Sequence, residues 1–401
     1  MFFQAVRDTE KCQECGACLE LVACAGQDEN CIGCGACVSA CPHTAIDLIP
    51  VEKTDTITIS IDEKDFGVPA RIPIKTALSL AGYSVGVLPA DAEIFAPCGV
   101  GACFCCAVEI EGDMYPSCVT AVEMGMRIKT LPPSGYIPKR LVGGFSGHGV
   151  GGVGTPWDVK KEKGYVEVAC FAGGCNLRCP QCQNWMITYG GKGIPLTPRE
   201  AARKITEARH AFGVDRLAIS GGECTLNKPW LIRYIEELKK RNPDSQARFH
   251  VDTNGSLLTP EYLDQLIQAG MTDIGIDLKG LTVQTYQRIT GINDQALAQI
   301  YLDNAWTAVR YLKKQDHDQV FVGVGIPFNK DLISKAEIKK IGQKLAKLDP
   351  HLQVCVLDYR PEFRSTINRP SAEEMLAVRN LLQDTGLSVV LCQTTTGHIG
   401  P

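Results

Sequence analysis

This sequence lacks an excess of charge of either sign: 41 Lys and Arg stand against 45 Asp and Glu, a formal net charge of −4. Such a balance offers no electrostatic footprint for nucleic acid or for an anionic membrane. It also lacks any apolar run near the ~18 residues that a spanning helix needs. The opening segment, residues 1–10, has no basic stretch followed by an apolar one, so a secretory leader is not expected and a cytoplasmic location is. Residues 1–51 have little periodic apolar pattern, and a segment so poor in core must be held together by what it binds.

What the chain has is cysteine: 20 in 401 residues, 13 of them before residue 119. A reducing cytosol and a chain of this length argue against a disulfide scaffold. The grouping argues for metal, since most of these cysteines sit in C-x2-C or C-x3-C runs. Neighbours so close can turn their sulfurs onto one metal, whereas a disulfide between them would be strained.

Four regions are expected. Residues 1–51 form a small cysteine-rich unit and residues 52–135 a small α+β unit, with a strand at 57–62, a hairpin partner at 70–74 and a short helix after it. Residues 136–160 read as a glycine-rich linker. Residues 161–401 alternate strand, loop and helix. Strands are expected at 165–170, 216–220, 248–252, 272–277, 319–325, 352–358 and 387–392. Thr197-Pro198-Arg199-Glu200 and Ser371-Ala372-Glu373-Glu374 have capping-box form, and Pro260 suits a first helical turn. The alternation predicts an α/β fold, a partial TIM-type barrel whose site lies at the carboxyl ends of its strands.

The first cysteine block runs Cys12-x2-Cys15-x2-Cys18, Cys24, then Cys31-x2-Cys34-x2-Cys37-x3-Cys41-Pro42. It resembles bacterial two-cluster ferredoxins. The resemblance implies one 4Fe–4S cluster on Cys12, Cys15, Cys18 and Cys41 and another on Cys31, Cys34, Cys37 and Cys24. Cys24 departs from the pattern, being five residues beyond Cys18 with no proline after it; structural zinc is the plainer alternative for the block. The second block, Cys98-x4-Cys103-x2-Cys106 with Cys118, has the spacing of plant-type 2Fe–2S ferredoxins and resembles their β-grasp fold. Cys105 falls outside that pattern and reads as a spare buried thiol.

The third block is Cys175-x3-Cys179-x2-Cys182, directly after the first barrel strand. It resembles the signature of radical S-adenosylmethionine (SAM) enzymes. The resemblance implies that three thiolates hold a 4Fe–4S cluster whose fourth iron chelates SAM, and that one electron yields a 5′-deoxyadenosyl radical. Gly221, Gly222 and Glu223 end the second strand and match the family's SAM-amine motif. Asp252 and Thr253 end the third, and Asp277 and Lys279 the fourth; these resemble pyruvate formate-lyase activating enzyme and its glycyl-radical relatives. That resemblance implies SAM contacts by Asp252, Thr253, Asp277 and Lys279, with Lys279 at the reacting ligand and a monovalent cation beside the aspartates. The residue before Cys182, usually aromatic, is Gln181, for which Trp185 could substitute. No cobalamin-binding segment is evident, which argues against methyl transfer.

The expected cofactors are therefore three 4Fe–4S clusters, one 2Fe–2S cluster and SAM. The leading expectation is an activator of a glycyl-radical protein, with a low-potential electron donor as second partner and the N-terminal clusters as relay. The alternatives are modification of a peptide or small molecule, or an electron-transfer subunit with a degenerate barrel. Cys170, Cys224, Cys355 and Cys392 read as inert buried thiols, His398 as a solvated terminal histidine, and Arg360 as a candidate anion contact.

Overall fold

The computed structural model describes residues 1–22, 30–161, 164–314 and 319–401; Cys24 lies outside the described residues. The N-terminal unit is built on two antiparallel strands, β1 (Phe2–Arg7) and β2 (Ile46–Val51), with short helices α1 (Ala17–Leu21) and α2 (Ala36–Ala40) between them. Each helix begins on a left-handed glycine, Gly16 and Gly35, both at φ 76°. These glycines supply tight turns directly after Cys15 and Cys34.

The second unit contains β3 (Thr56–Ile61), β4 (Lys64–Pro69), α3 (Ile74–Leu80), the short pair β5 (Val85–Gly86) and β6 (Ile94–Phe95), then β7 (Ala107–Ile110), β8 (Asp113–Pro116) and β9 (Arg127–Lys129). Its sheet runs in the order β4-β3-β9-β7-β8 around its own core, in which Ile59, Ile61, Ile74, Leu78 and Val108 are buried. The hairpin partner of β3 is Lys64–Pro69 rather than residues 70–74. Asp62 and Glu63 take positive φ (47° and 68°) and close the chain directly into a turn, leaving Ala70–Pro73 to lead into α3.

The largest correction concerns the glycine-rich stretch. Instead of a linker, it supplies β10 (Val142–His148), which pairs antiparallel with β11 (Glu167–Ala172), and α4 (Trp157–Lys160). Between these two elements the chain runs through the barrel as a strap. A Cβ on Gly154 would lie 2.5 Å from the Ile274 carbonyl carbon, and one on Gly152 would lie 1.7 Å from the Asp252 carboxylate. These glycines are needed for close approach, not for slack.

The remaining elements are α5 (Trp185–Tyr189), α6 (Pro198–Phe212), β12 (Arg216–Gly221), α7 (Lys228–Arg241), β13 (Arg248–Thr253), α8 (Pro260–Ala269), β14 (Asp273–Asp277), α9 (Val283–Thr290), α10 (Gln295–Lys314), β15 (Phe321–Phe328), α11 (Lys335–Leu348), β16 (Gln353–Asp358), α12 (Ala372–Gln383), β17 (Val390–Thr394) and β18 (Gly397–Ile399). Both capping boxes form, on α6 and α12, and Thr259 caps α8 ahead of Pro260. Among the described residues, β10 to β18 make one sheet in sequence order, with β11 to β17 parallel and an antiparallel strand at each edge. The two edges do not pair with each other, so the barrel stays open. Among the described residues no helix is long and apolar enough to cross a membrane.

Candidate active site

At the carboxyl ends of β11 to β16 lies a cavity of about 500 Å³ lined by Cys175, Cys179, Cys182, Gly221, Gly222, Asp252, Thr253, Asp277 and Lys279. Of the residues expected here, Glu223 alone is not in the lining. Its carboxylate is buried and accepts from the Thr225 amide (3.0 Å), the Thr225 hydroxyl (2.6 Å), the Thr253 hydroxyl (2.7 Å) and the Asn254 amide (2.8 Å). In this structure Glu223 ties the end of β12 to the end of β13 and has no oxygen turned to the cavity. The neighbouring glycine serves packing: a Cβ on Gly222 would sit 2.3 Å from the Gly174 carbonyl oxygen, so only glycine lets β12 close against the cysteine loop.

The three thiols are free, and burial governs them. Desolvation pushes Cys179 up to about 12 and raises Cys175 and Cys182 as well; Lys279 pulls Cys179 the other way without prevailing. Three buried thiols lining one cavity suit a donor set that a cluster's positive charge deprotonates on binding. The surroundings suit sulfur ligands too. The Leu177 amide donates to Cys175 Sγ at 3.3 Å and the Asn254 side-chain amide at 3.7 Å, while Thr188 Oγ1 lies 3.6 Å from Cys182 Sγ.

Lys279 is buried and donates to Asp277 (3.1 Å) and to the Tyr359 hydroxyl (2.9 Å). Burial works against its charge, but Asp277 and then Tyr359 outweigh it and raise the ammonium well above its usual range. Asp252 accepts from the Gly154 amide (3.2 Å) and pairs with His250 at 3.0 Å. Although burial opposes it, Asp252 and then Glu167 raise His250 to about 9, so this imidazole is a cation. Both acidic strand ends thus already hold a positive partner, and the carboxylates do not fit the expected monovalent cation.

Several other readings change. Gln181 is buried and donates to the Ile289 carbonyl (2.7 Å), and Trp185 stacks on Phe363 (centroids 5.3 Å apart) outside the lining, so it does not replace the missing aromatic. Arg360 is engaged with Glu362 (3.2 Å) and Gln183 (3.3 Å). Cys105 is half-buried on a second cavity rather than buried, and His398 lines the first cavity rather than facing solvent. Cys170, Cys224, Cys355 and Cys392 are buried as expected.

The four cysteines of the second block come together. Cys103 Sγ lies 3.2 Å from Cys98 Sγ, and Cys118 reaches both Cys106 and Cys98. Cys103 first, and then Cys118, hold the Cys98 thiol well below its usual range. In the first unit, backbone amides of Ala5 and Ala45 donate to Cys31 and Cys41 sulfurs, each at 3.3 Å, and Arg7 donates to Cys18 at 3.3 Å. Amide-to-sulfur bonds of this kind suit iron–sulfur ligands.

Both units dock on the Cys175–Cys182 loop. Arg178, inside the Cys175–Cys182 segment, donates to the carbonyls of Cys98, Cys175 and Leu177, each at 2.8 Å. A Cβ on Gly174 would stand 3.3 Å from Cys98 Sγ, so one backbone step separates Cys98 from Cys175. From the other side Arg364 donates to the carbonyls of Cys41 (2.9 Å) and Val38, while its own amide donates to Pro180 between the second and third cysteines. Sequence reasoning missed Arg178 and Arg364. It also missed Arg140, which is fully buried and donates to the carbonyls of Cys224 (2.6 Å), Glu223 (3.0 Å) and Gly173 (3.1 Å). A lone arginine carries no spacing signal.

An open parallel barrel presenting three free thiols and a glycine edge at its carboxyl face, with two cysteine-rich units docked on it, defines a radical SAM domain with ferredoxin-type modules. Family models agree: the Radical SAM superfamily matches residues 170–336, a 2Fe-2S iron-sulfur cluster binding domain residues 54–133, and a 4Fe-4S dicluster domain residues 30–67. The dicluster match favours cubane clusters over structural zinc. Among curated proteins the chain is similar to an AdoMet-dependent heme synthase of Methanosarcina barkeri (32% identity; 30% of this chain, 32% of that one). It is also similar to a probable GTP 3′,8-cyclase of Thermoplasma volcanium (30% identity; 30% of this chain, 35% of that one) and to a PqqA peptide cyclase of Granulibacter bethesdensis (30% identity; 29% of this chain, 30% of that one). The chain thus spans about a third of the length of the curated relatives it matches.

Proposed function

We propose that this protein is a radical SAM enzyme that modifies a peptide or a small molecule, with its N-terminal modules as a built-in electron input. The observation that carries the reading is the cavity itself: it runs from the three cysteines down past Ala169 and Ala218 into the barrel lumen, as far as Lys160 and His398. At about 500 Å³ it falls in the ~300–1,000 Å³ range of ligand sites.

The names of the relatives, two cyclases and a heme synthase, support this alternative over activation of a glycyl-radical protein. The segments that suggested an activator have structural partners of their own: Asp252 with His250, Asn254 with Glu223 and Cys175, and Asp277 with Lys279.

Cys175, Cys179 and Cys182 would hold the SAM-binding cluster, Cys98, Cys103, Cys106 and Cys118 the 2Fe–2S centre, and Cys12, Cys15, Cys18, Cys31, Cys34, Cys37 and Cys41 the dicluster, with Cys24 as its proposed eighth ligand. Loaded, these groups supply low-potential electrons and a deoxyadenosyl radical. The chain's part is positional. Gly221 and Gly222 bring backbone up to the cofactor, Lys279 offers a buried cation held by Asp277 and Tyr359, and Thr253 and Asn254 are locked by Glu223. Arg178 and Arg364 keep the modules against the cysteine loop.

The test is anaerobic reconstitution, reduction with dithionite, addition of SAM and assay of 5′-deoxyadenosine, with a Cys175→Ala, Cys179→Ala, Cys182→Ala variant alongside. The nucleoside should form in the wild type and be lost in the variant. No cleavage at full iron content would overturn the enzyme reading in favour of an electron-transfer subunit.

A further inference from the structure

The floor of the cavity contains a cation without a counter-charge. Lys160, on α4, is 8% exposed, and its ammonium donates to the carbonyls of Val150 (3.1 Å) and Gly151 (3.0 Å) of the strap. Among the described residues it forms no ion pair, and two carbonyls leave one of its three N–H bonds unmatched. Buried ammonium groups are ordinarily paired with an anion.

His398, on the edge strand β18, lines the same cavity and lies within electrostatic reach of Lys160. Its Nε2 is buried and has no hydrogen-bond partner. Burial first, then the charges of Lys160 and His148, push this imidazole down to about 4, so it is neutral and can offer one N–H. The nearby carboxylate, Glu167, is already satisfied by His148 (2.9 Å), His250 (3.2 Å), the Gly152 amide (2.9 Å) and Thr155 (2.7 Å). It cannot serve as the missing partner of Lys160.

Above this floor the lumen is hollow on one side only. Ala169, Ala218 and Cys355 line it with small side chains, and Leu357 adds an apolar wall. On the other side the strap residues Val153 and Gly154 fill the space against Gly275 and Gly323. The cavity thus joins the cysteine loop, an apolar wall, an ammonium without an ion pair among the described residues and an unpartnered imidazole.

Building on the reading of the chain as a substrate-modifying radical SAM enzyme, we propose that this floor binds the carboxylate of the substrate, with Lys160 as counter-charge and His398 as second donor. The substrate then lies along the lumen with its reacting end toward the cysteine loop. A carboxylate suits the site better than a phosphate. Lys160 is without an ion-pair partner among the described residues, whereas His148 is taken up by Glu167, and Glu167 and Asp252 line the same cavity, so a dianion would lack compensation.

The test uses reconstituted holoenzyme with SAM bound and isothermal titration calorimetry with three probes of equal chain length: hexanoate, hexanamide and hexyl phosphate. Hexanoate should bind about tenfold or more tightly than hexanamide, the difference expected of one charge-assisted hydrogen bond. Lys160→Met should abolish that preference and Lys160→Arg should retain it. His398→Phe, which fills the floor without touching Lys160, should weaken hexanoate and serves if Lys160→Met does not fold. Equal binding of acid and amide, tighter binding of the phosphate, or no binding by holoenzyme that holds SAM would each overturn the proposal. Deoxyadenosine formation by the same wild-type preparation separates the two failures. Cleavage without carboxylate preference sinks this inference alone, whereas absence of cleavage sinks the enzyme reading beneath it.

Discussion

Replacing Arg140 with methionine tests whether the active-site loops are held by a single buried cation. The guanidinium is fully buried, stacks 5.6 Å from the Trp230 ring centre, and donates to three carbonyls: Gly173, just before the cysteine loop, and Glu223 and Cys224, just after β12. Hydrogen bonds from a charged donor contribute about 1.5–3 kcal/mol each. Releasing a buried charge returns several kcal/mol, so the bonds are not lost at full value. Leaving three buried carbonyls without a donor costs about 1–3 kcal/mol each, and after that return a net destabilisation of about 3–5 kcal/mol is expected. With a melting temperature falling ~2–4 °C per kcal/mol in a domain of this size, Arg140→Met should melt about 6–20 °C below wild type. Anaerobic calorimetry on reconstituted protein, with iron counted on the same samples, reads the effect. A variant melting within about 2 °C of wild type would refute the account, because three buried carbonyls would then have lost their donor at no cost.

Three further outcomes follow from the same geometry. Arg178→Ala cuts the ties between Cys98 and the Cys175 loop, and deoxyadenosine formation should fall roughly 10–100-fold with iron content unchanged; an unaltered rate would show that docking does not depend on this side chain. Gly154→Ala drives a methyl into the β14 backbone at 2.5 Å and should cost at least about 1–3 kcal/mol, read as a lower denaturant midpoint; a neutral result would mean the strap is slack after all. His250, raised to about 9 by Asp252 and Glu167 against the effect of burial, adds stability that is complete below its unfolded value of 6.5 and lost as pH rises through about 9. The denaturant midpoint of wild type should therefore drop over that window more steeply than that of His250→Gln, and parallel curves would contradict the pairing.

Much of this molecule was legible because the signals are local. Cysteine spacing of two or three residues names a metal-binding loop without reference to the rest of the chain. Periodic strands with capped helices between them name a parallel barrel, and the seven core strands formed within a few residues of expectation. The glycine-rich stretch was misread for a physical reason: in one dimension, glycine that allows freedom looks the same as glycine that allows contact. Only the neighbours of Gly152 and Gly154, which arrive from 100 residues downstream, show that this segment is packed inside the barrel.

The same division runs through the site. By itself the sequence determined the chemistry available, because three thiols at fixed spacing and glycines at a strand end are covalent facts that folding only gathers. The tertiary structure decided which groups face one another. It turned Glu223 inward to four donors, gave His250 to Asp252, brought Cys98 within one backbone step of Cys175, and left Lys160 in the lumen without an anion. Partnerships of this kind depend on distances between residues far apart along the chain, and those distances are set by packing, which no local pattern encodes.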